Sequence, residues 1–339
     1  MLKTIGEWGR SPPEFLLWYD HSMASLCALV PLVVSGVLDH LGDEPRTAAQ
    51  LAAAADLDPA QLERLLTFMA SQEVLVFEAG RYAHSDFSRL LRRDHPRSLH
   101  PVVYCGLNLI ANAGALPQAL KTRQVAQQVA HGTGYFEQLG NDPELAETFA
   151  RFMTLTTTRA EQFILENHRF EPFRLAVDVG GSHGSLLLSL LAARPQAHGI
   201  LFDLPEVVAQ APTAIASHAA GARVKLVGGS FFDSVPAGGD LYLLKQILHD
   251  WDDERSLSIL RRIRAAIAPD GRLAVLDRLL PEAPRPHPAY HMDLYMMLLV
   301  GAQERKLSQF ETLFGASGFR LDRVTEYPDG PSVMEALPV

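Results

Sequence analysis

From Leu175 onward the chain alternates apolar strand-like runs with helix-like runs, and no other feature restricts its fold as strongly. Strands are expected over residues 175–179, 199–203, 224–227, 241–244 and 272–277, with helices between them such as 185–193 and 253–266. That alternation builds an α/β doubly wound, Rossmann-like parallel sheet. The C-terminal end differs. FRLDRVTEY and SVMEALPV are two strands joined by PDG with no helix between them, so an antiparallel hairpin should close an otherwise parallel sheet.

At 339 residues the chain exceeds one ordinary domain, and a second is expected upstream. Residues 47–92 read as a winged helix-turn-helix. Thr47 opens a short helix carrying Leu51. Asp58 and Pro59 then supply an N-cap and first-turn proline for a helix with Leu62, Leu65, Leu66 and Met69 at helical spacing. LVFEAGRYAHS follows as a strand pair turning at Gly80. Between Arg46 and Arg97 stand seven arginines and seven acids. A DNA reader carries a basic face, so this balance favours packing or dimerisation over nucleic-acid binding.

The formal net charge of −9 also disfavours nucleic acid and anionic membrane as partners. Residues 23–38 are apolar, but sixteen residues with an internal Pro31 fall short of a membrane span. A buried helix packed on another subunit is expected there. The N-terminus shows no apolar signal core, and two cysteines give no disulfide framework, so a cytoplasmic protein is expected. Residues 101–168 read as mostly helical. Tyr104, Tyr135, Phe149, Phe152 and Met153 in that stretch suit either a helical core or the wall of a pocket for a flat apolar ligand.

Two segments carry chemistry. In VDVGGSHG, Gly180, Gly181 and Gly184 follow an apolar strand and precede a helix. A dinucleotide fingerprint needs glycine at i, i+2 and i+5, where Ser182 and Ser185 stand instead, so the usual NAD mode is excluded. Asp178 lies two residues before the turn. Asp203, ending the next strand in GILFDLP, can accept from both ribose hydroxyls. It can equally cap a helix entered through Leu204 and Pro205. The ends of the next two strands add Ser230, Phe231 and Lys245, the aromatic ring for an adenine face and the lysine for a carboxylate or backbone group of the ligand. The second segment, LYLLKQILHDWDDE, runs a strand into His249 among acids. That histidine is either a general base or a structural residue at a strand-to-helix junction. His249, Asp250, Asp252 and Asp253 point in successive directions, so no metal site is expected.

With VDVGGSHG, FDLP, VGGSFFDSVP, LLKQILHDWDDE and ERKLSQFETLF in this order, nearly the whole chain resembles the plant and bacterial small-molecule O-methyltransferases of the caffeate and flavonoid type. The resemblance implies S-adenosylmethionine as cofactor and three parts. These are a winged-helix dimerisation domain (1–100), a helical linker contributing to the substrate pocket (101–168) and a cofactor-binding class I methyltransferase domain (169–339). It also implies a homodimer and His249 as general base, flanked by Asp277 and Glu304. The family more often has Glu at the first flanking position, so contact from the shorter Asp277 to His249 is open to loss or to mediation by water. Ser230 replaces an adenine-contacting acid. Phe149, Met153, Asp250, Met292, Tyr295 and Met296 are the candidates for contact with a small aromatic substrate.

A free phenol, pKa ~10, is only about 0.1% ionised at pH 7. A positioned base therefore contributes on the order of 10²–10⁴ in rate. Two other readings keep the same elements. One is a same-fold enzyme that binds S-adenosylmethionine for non-methylating chemistry, which loss of the histidine would favour. The other is a winged-helix, ligand-responsive regulator, which a basic wing would favour.

Overall fold

The computed structural model describes residues 5–8, 11–327 and 330–339. They fall into two compact units, one formed by residues 1–121 and 127–153, the other by residues 122–126 and 154–339. The segment 101–168, expected as a single linker, is thus divided between them.

In the first unit some helices start where a side chain serves an orphan backbone N–H. Thr47 and Gln50 form a reciprocal capping box on Ala48–Ala55, and the Asp58 carboxylate accepts the Gln61 N–H at 2.8 Å ahead of Pro59–Ser71. Strands β1 (Leu75–Glu78) and β2 (Arg81–His84) pair antiparallel through Ala79 and Gly80, both at positive φ. Leu32, Leu38, Leu51, Leu66, Met69 and Tyr82 fill the core beneath this wing.

The N-terminal apolar segment departs from expectation. It is a 23-residue helix, Pro12–Val34, and Gly36 at φ 71° separates it from the short helix Val37–Leu41. It is long and apolar enough to cross a membrane by length and composition. Within the residues expected as a buried helix, 23–38, Ala28, Val30, Leu32, Val33, Val37 and Leu38 are buried, but the helix begins eleven residues earlier than expected. Leu16, Leu17, Tyr19, Met23 and Leu26 are exposed, and only its last turns join the core. Pattern alone shows that a helix has an apolar face; it does not show what covers that face.

The second unit is a seven-stranded sheet of β3 (Leu175–Val179), β4 (His198–Asp203), β5 (Val224–Gly228), β6 (Leu241–Lys245), β7 (Arg272–Asp277), β10 (Phe319–Thr325) and β11 (Ser332–Pro338). The strand order is β10-β11-β7-β6-β3-β4-β5. Strands β3 to β7 run parallel, while β11 lies antiparallel to β7 and to β10. The terminal hairpin is therefore present, although Pro328 and Asp329 of its expected PDG joint lie outside the described residues. Two short strands, β8 (Leu279–Leu280) and β9 (Arg305–Lys306), pair apart from the main sheet.

The central parallel strands are mostly apolar because both of their faces are covered. Side chains alternate between the faces. Val177, Leu244, Leu273 and Val275 join Ile259, Ile263, Phe310 and Phe314 on one side, and Ala176, Leu243, Ala274 and Leu276 join Leu186, Leu187 and Leu190 on the other. From β3 the chain winds outward to β4 and β5 on one side and, later, to β6 and β7 on the other. The carboxyl end of β3 is thus the switch point, where a doubly wound sheet opens a crevice.

Candidate active site

The glycine turn sits at that switch point. Gly180 adopts φ 72° and Gly184 φ 75°, and Ser182 is also left-handed at 52°. Crowding adds to the conformational demand. A Cβ on Gly180 would stand 2.5 Å from Ile247, and one on Gly181 would stand 2.6 Å from the Asp178 carboxyl carbon. The Asp203 carboxylate lies across the turn, accepting the Ser182 N–H at 2.8 Å and the Leu204 N–H at 2.7 Å. Those two bonds fix its orientation and leave lone pairs for further donors. Leu204 is exposed just ahead of the short helix Pro205–Val208, and its N–H is held by Asp203.

Phe231 packs edge-on against Phe232 and Trp251 and lies within 3.7 Å of where a Gly180 Cβ would be. The Ser230 hydroxyl accepts the Phe232 N–H at 3.2 Å. An exposed turn backbone, a carboxylate with lone pairs to spare and an aromatic face are what a nucleoside needs, so these residues fit S-adenosylmethionine.

Beneath the turn is a charge cluster that sequence reasoning saw only in part. Asp178 is buried, and desolvation pushes its carboxyl up to about 7 despite nearby Lys245. Lys245, expected to meet the ligand, forms a part-buried ion pair with Glu161. Glu161 also accepts the Ser185 hydroxyl at 2.8 Å. Glu161 comes from the Pro143–Asn167 helix, 84 residues before its lysine, and no local signal marks it.

His249 stands on a 3₁₀ turn, Leu248–Asp250, just beyond β6, and is 7% exposed. Its Nδ1 lies 3.0 Å from Glu304 Oε1, and its Nε2 lies 3.5 Å from Asp250 Oδ1. Burial works against the imidazolium. The Glu304 hydrogen bond and the fields of Asp277, Asp250 and Glu304 outweigh it and raise the imidazole to about 9. Asp277 is fully buried, and neither carboxylate oxygen has a hydrogen-bond partner. Desolvation pushes it up to about 8, with His249 acting against that rise. The shorter Asp277 side chain thus acts on His249 through its field rather than through a hydrogen bond.

The support for this turn also went unread in the sequence. Arg305 is fully buried, donating from Nη1 to the Leu248 carbonyl at 2.6 Å and from Nη2 to the Trp251 carbonyl at 2.7 Å, and pairing with Asp253 at 2.8 Å. Asp293 accepts the Glu304 N–H at 2.9 Å.

The expected substrate residues divide between the units. Phe149 and Met153 belong to the first, where Phe149 meets Tyr135 edge-on at 5.3 Å. Met292, Tyr295 and Met296 belong to the second, on Ala289–Leu299, with Tyr295 exposed and both methionines half-buried rather than in a helix core. His183 and His291 face solvent. A cavity of about 540 Å³ lies at the opposite ends of β3, β6 and β7, between Arg174, Asp240 and Arg272, away from this chemistry. Among the described residues no group of His, Cys, Asp and Glu is arranged to hold a metal ion.

Comparison with known proteins agrees with this geometry. The O-methyltransferase domain family matches residues 115–320, and the O-methyltransferase dimerisation domain matches residues 21–94. The chain is similar to the phenazine O-methyltransferase of Lysobacter antibioticus, at 36% identity over 90% of each chain. It is 38% identical to the O-demethylpuromycin O-methyltransferase of Streptomyces alboniger, over 89% of this chain and 82% of that one. Among solved structures, an O-methyltransferase from neocarzinostatin biosynthesis, in complex with S-adenosylmethionine and 2-hydroxy-5-methyl naphthoic acid, superposes with a TM-score of 0.81 at 29% identity. That match covers 93% of this chain and 96% of the other. The chain belongs to the S-adenosylmethionine-dependent O-methyltransferases, with their dimerisation domain at its N-terminal end.

Proposed function

We propose that the enzyme methylates a phenolic hydroxyl of a small aromatic or polycyclic secondary metabolite, with His249 as general base. The observation that carries this reading is the buried His249–Glu304 pair standing among two further acids, beyond a strand whose neighbour holds the glycine turn. The relatives whose names describe phenazine and naphthoic acid ligands support an aromatic acceptor.

When bound, S-adenosylmethionine supplies an activated methyl on sulfur for in-line displacement. The glycine turn, Asp203 and Phe231 hold its nucleoside part, with Ser230 beside them. Glu304 accepts from Nδ1 and so leaves the Nε2 lone pair of neutral His249 to take the acceptor's hydroxyl proton. The imidazolium so formed is stabilised by Glu304, Asp277 and Asp250, while the oxygen gains the electron density needed for attack. Phe149, Met153, Met292, Tyr295 and Met296 contribute apolar contacts to the acceptor, and Asp250 contributes a polar one. Functionally, residues 1–100 dimerise, 101–168 help form the acceptor pocket and 169–339 bind the cofactor. The exposed apolar face of Pro12–Val34 is the homodimer surface, and both cysteines are free, as suits the cytoplasm.

The test is His249→Gln. Turnover of a phenolic acceptor should fall on the order of 10²–10⁴-fold while calorimetric affinity for S-adenosylhomocysteine stays within about threefold. Near-normal turnover in this variant would remove His249 from the chemistry.

A further inference from the structure

A second cavity, about 160 Å³, opens just past the catalytic strand and is lined by Arg278, Arg285, His287, Glu326, Tyr327 and Ser332, among others. It is small, and its donors lack acceptors. The Arg278 Nε and the Tyr327 hydroxyl are both shut off from solvent and have no hydrogen-bond partner. Arg278 makes no hydrogen bond or ion pair with any described residue. The His287 Nδ1 accepts the Ala289 N–H at 3.3 Å, which places the proton of the neutral ring on Nε2 as a further donor. The Ser332 hydroxyl lies 3.4 Å from the Tyr327 N–H. Phe163 packs edge-on against the Tyr327 ring at 5.0 Å and so fixes that side of the cavity.

Two arginines and one acid face His287. Burial, then Arg285, hold its imidazole below its ordinary value, with Glu326 working the other way and Arg278 adding a smaller push down. Glu326 is exposed, where solvent screens it, whereas the Arg278 Nε is shielded. Buried donors without acceptors are costly, and a guanidinium most of all. A planar oxyanion satisfies them together, because a guanidinium and a hydroxyl are the donors such a group recruits.

We infer that this cavity is a binding site for a small oxyanion, a carboxylate or a phosphate. Nothing in the methyl-transfer chemistry uses it, although Arg278 directly follows Asp277 and Ala289 begins the helix that bears Met292 and Tyr295. Two sources share this chemistry, the carboxylate of an aromatic acid and a free inorganic anion. Isothermal titration of the full chain with sodium benzoate and, separately, with inorganic phosphate tells them apart.

Saturable millimolar or tighter binding of either anion is expected, weakened about tenfold or more in Arg278→Gln. Tighter benzoate binding identifies an aromatic acid, and tighter phosphate binding a free anion. Tyr327→Phe should weaken the same anion more modestly, and it carries the test should the arginine variant not fold. Absence of saturable binding at millimolar concentrations overturns the assignment, as does affinity unchanged by whichever variant folds.

Discussion

At the scale of single residues, the acids around His249 have a kinetic consequence. An imidazole raised to about 9 is a strong proton acceptor, yet it is mostly protonated at neutral pH. His249 and Asp277 titrate as a coupled pair, since each favours the other's charged form. The acid limb of kcat/KM should therefore sit above the ordinary imidazole value of 6.5. Removing one negative field in Asp277→Asn should move that limb down toward it. A limb left in place by the substitution would show that Asp277 does not act on the base. Asp203 makes a different prediction. Asp203→Ala should weaken S-adenosylhomocysteine on the order of ten- to a hundredfold by calorimetry, as expected when a carboxylate accepting from hydroxyls is lost. Both residues were legible in the sequence because each is a chemistry-bearing side chain at the end of an apolar strand. Glu161 was not, because its meaning comes from Lys245, which only the tertiary fold brings near.

At the scale of elements, the turn that bears His249 is held in place by a neighbouring strand. Strand β9 pairs with β8 just beyond Asp277, so Glu304 and Arg305 arrive together, the first on His249 and the second beneath its turn. Arg305→Met would strand two carbonyls and Asp253 and remove a buried, fully bonded cation. A loss of about 3–5 kcal/mol in urea unfolding is expected, with turnover falling more than cofactor affinity. An unfolding midpoint equal to wild type would mean that the turn holds itself. The parallel doubly wound sheet and its terminal hairpin could be read from alternation and from a joint with no room for a helix. The support from Arg305 could not, because in ERKLSQF its charge looks solvated until packing covers it. The Pro12–Val34 helix shows the same limit from the apolar side, since its first turns, with Leu17 and Tyr19 exposed, precede the segment that the pattern marked.

At the scale of the whole molecule, the buried titratable groups set how stability varies with pH. His249 is raised to about 9, so its contribution is complete below 6.5 and is lost as pH rises through 9. Asp178 and Asp277, raised to about 7 and about 8, hold protons in the folded state that the unfolded chain releases above 3.8. They too lose stability as pH climbs. His100 and His168 act the opposite way. Burial lowers both to about 4, so the unfolded chain takes up protons below 6.5 that the folded protein refuses. Between pH 4 and 6.5 the buried histidines and the buried acids therefore oppose one another. Above 6.5 only losses remain. The melting temperature should decline from pH 6.5 toward pH 9, with a shallower decline in Asp277→Asn. A melting temperature that rises between pH 6.5 and 9 would mean that the folded protein does not hold these protons, and the raised base and its buried acid partner would both have to be abandoned.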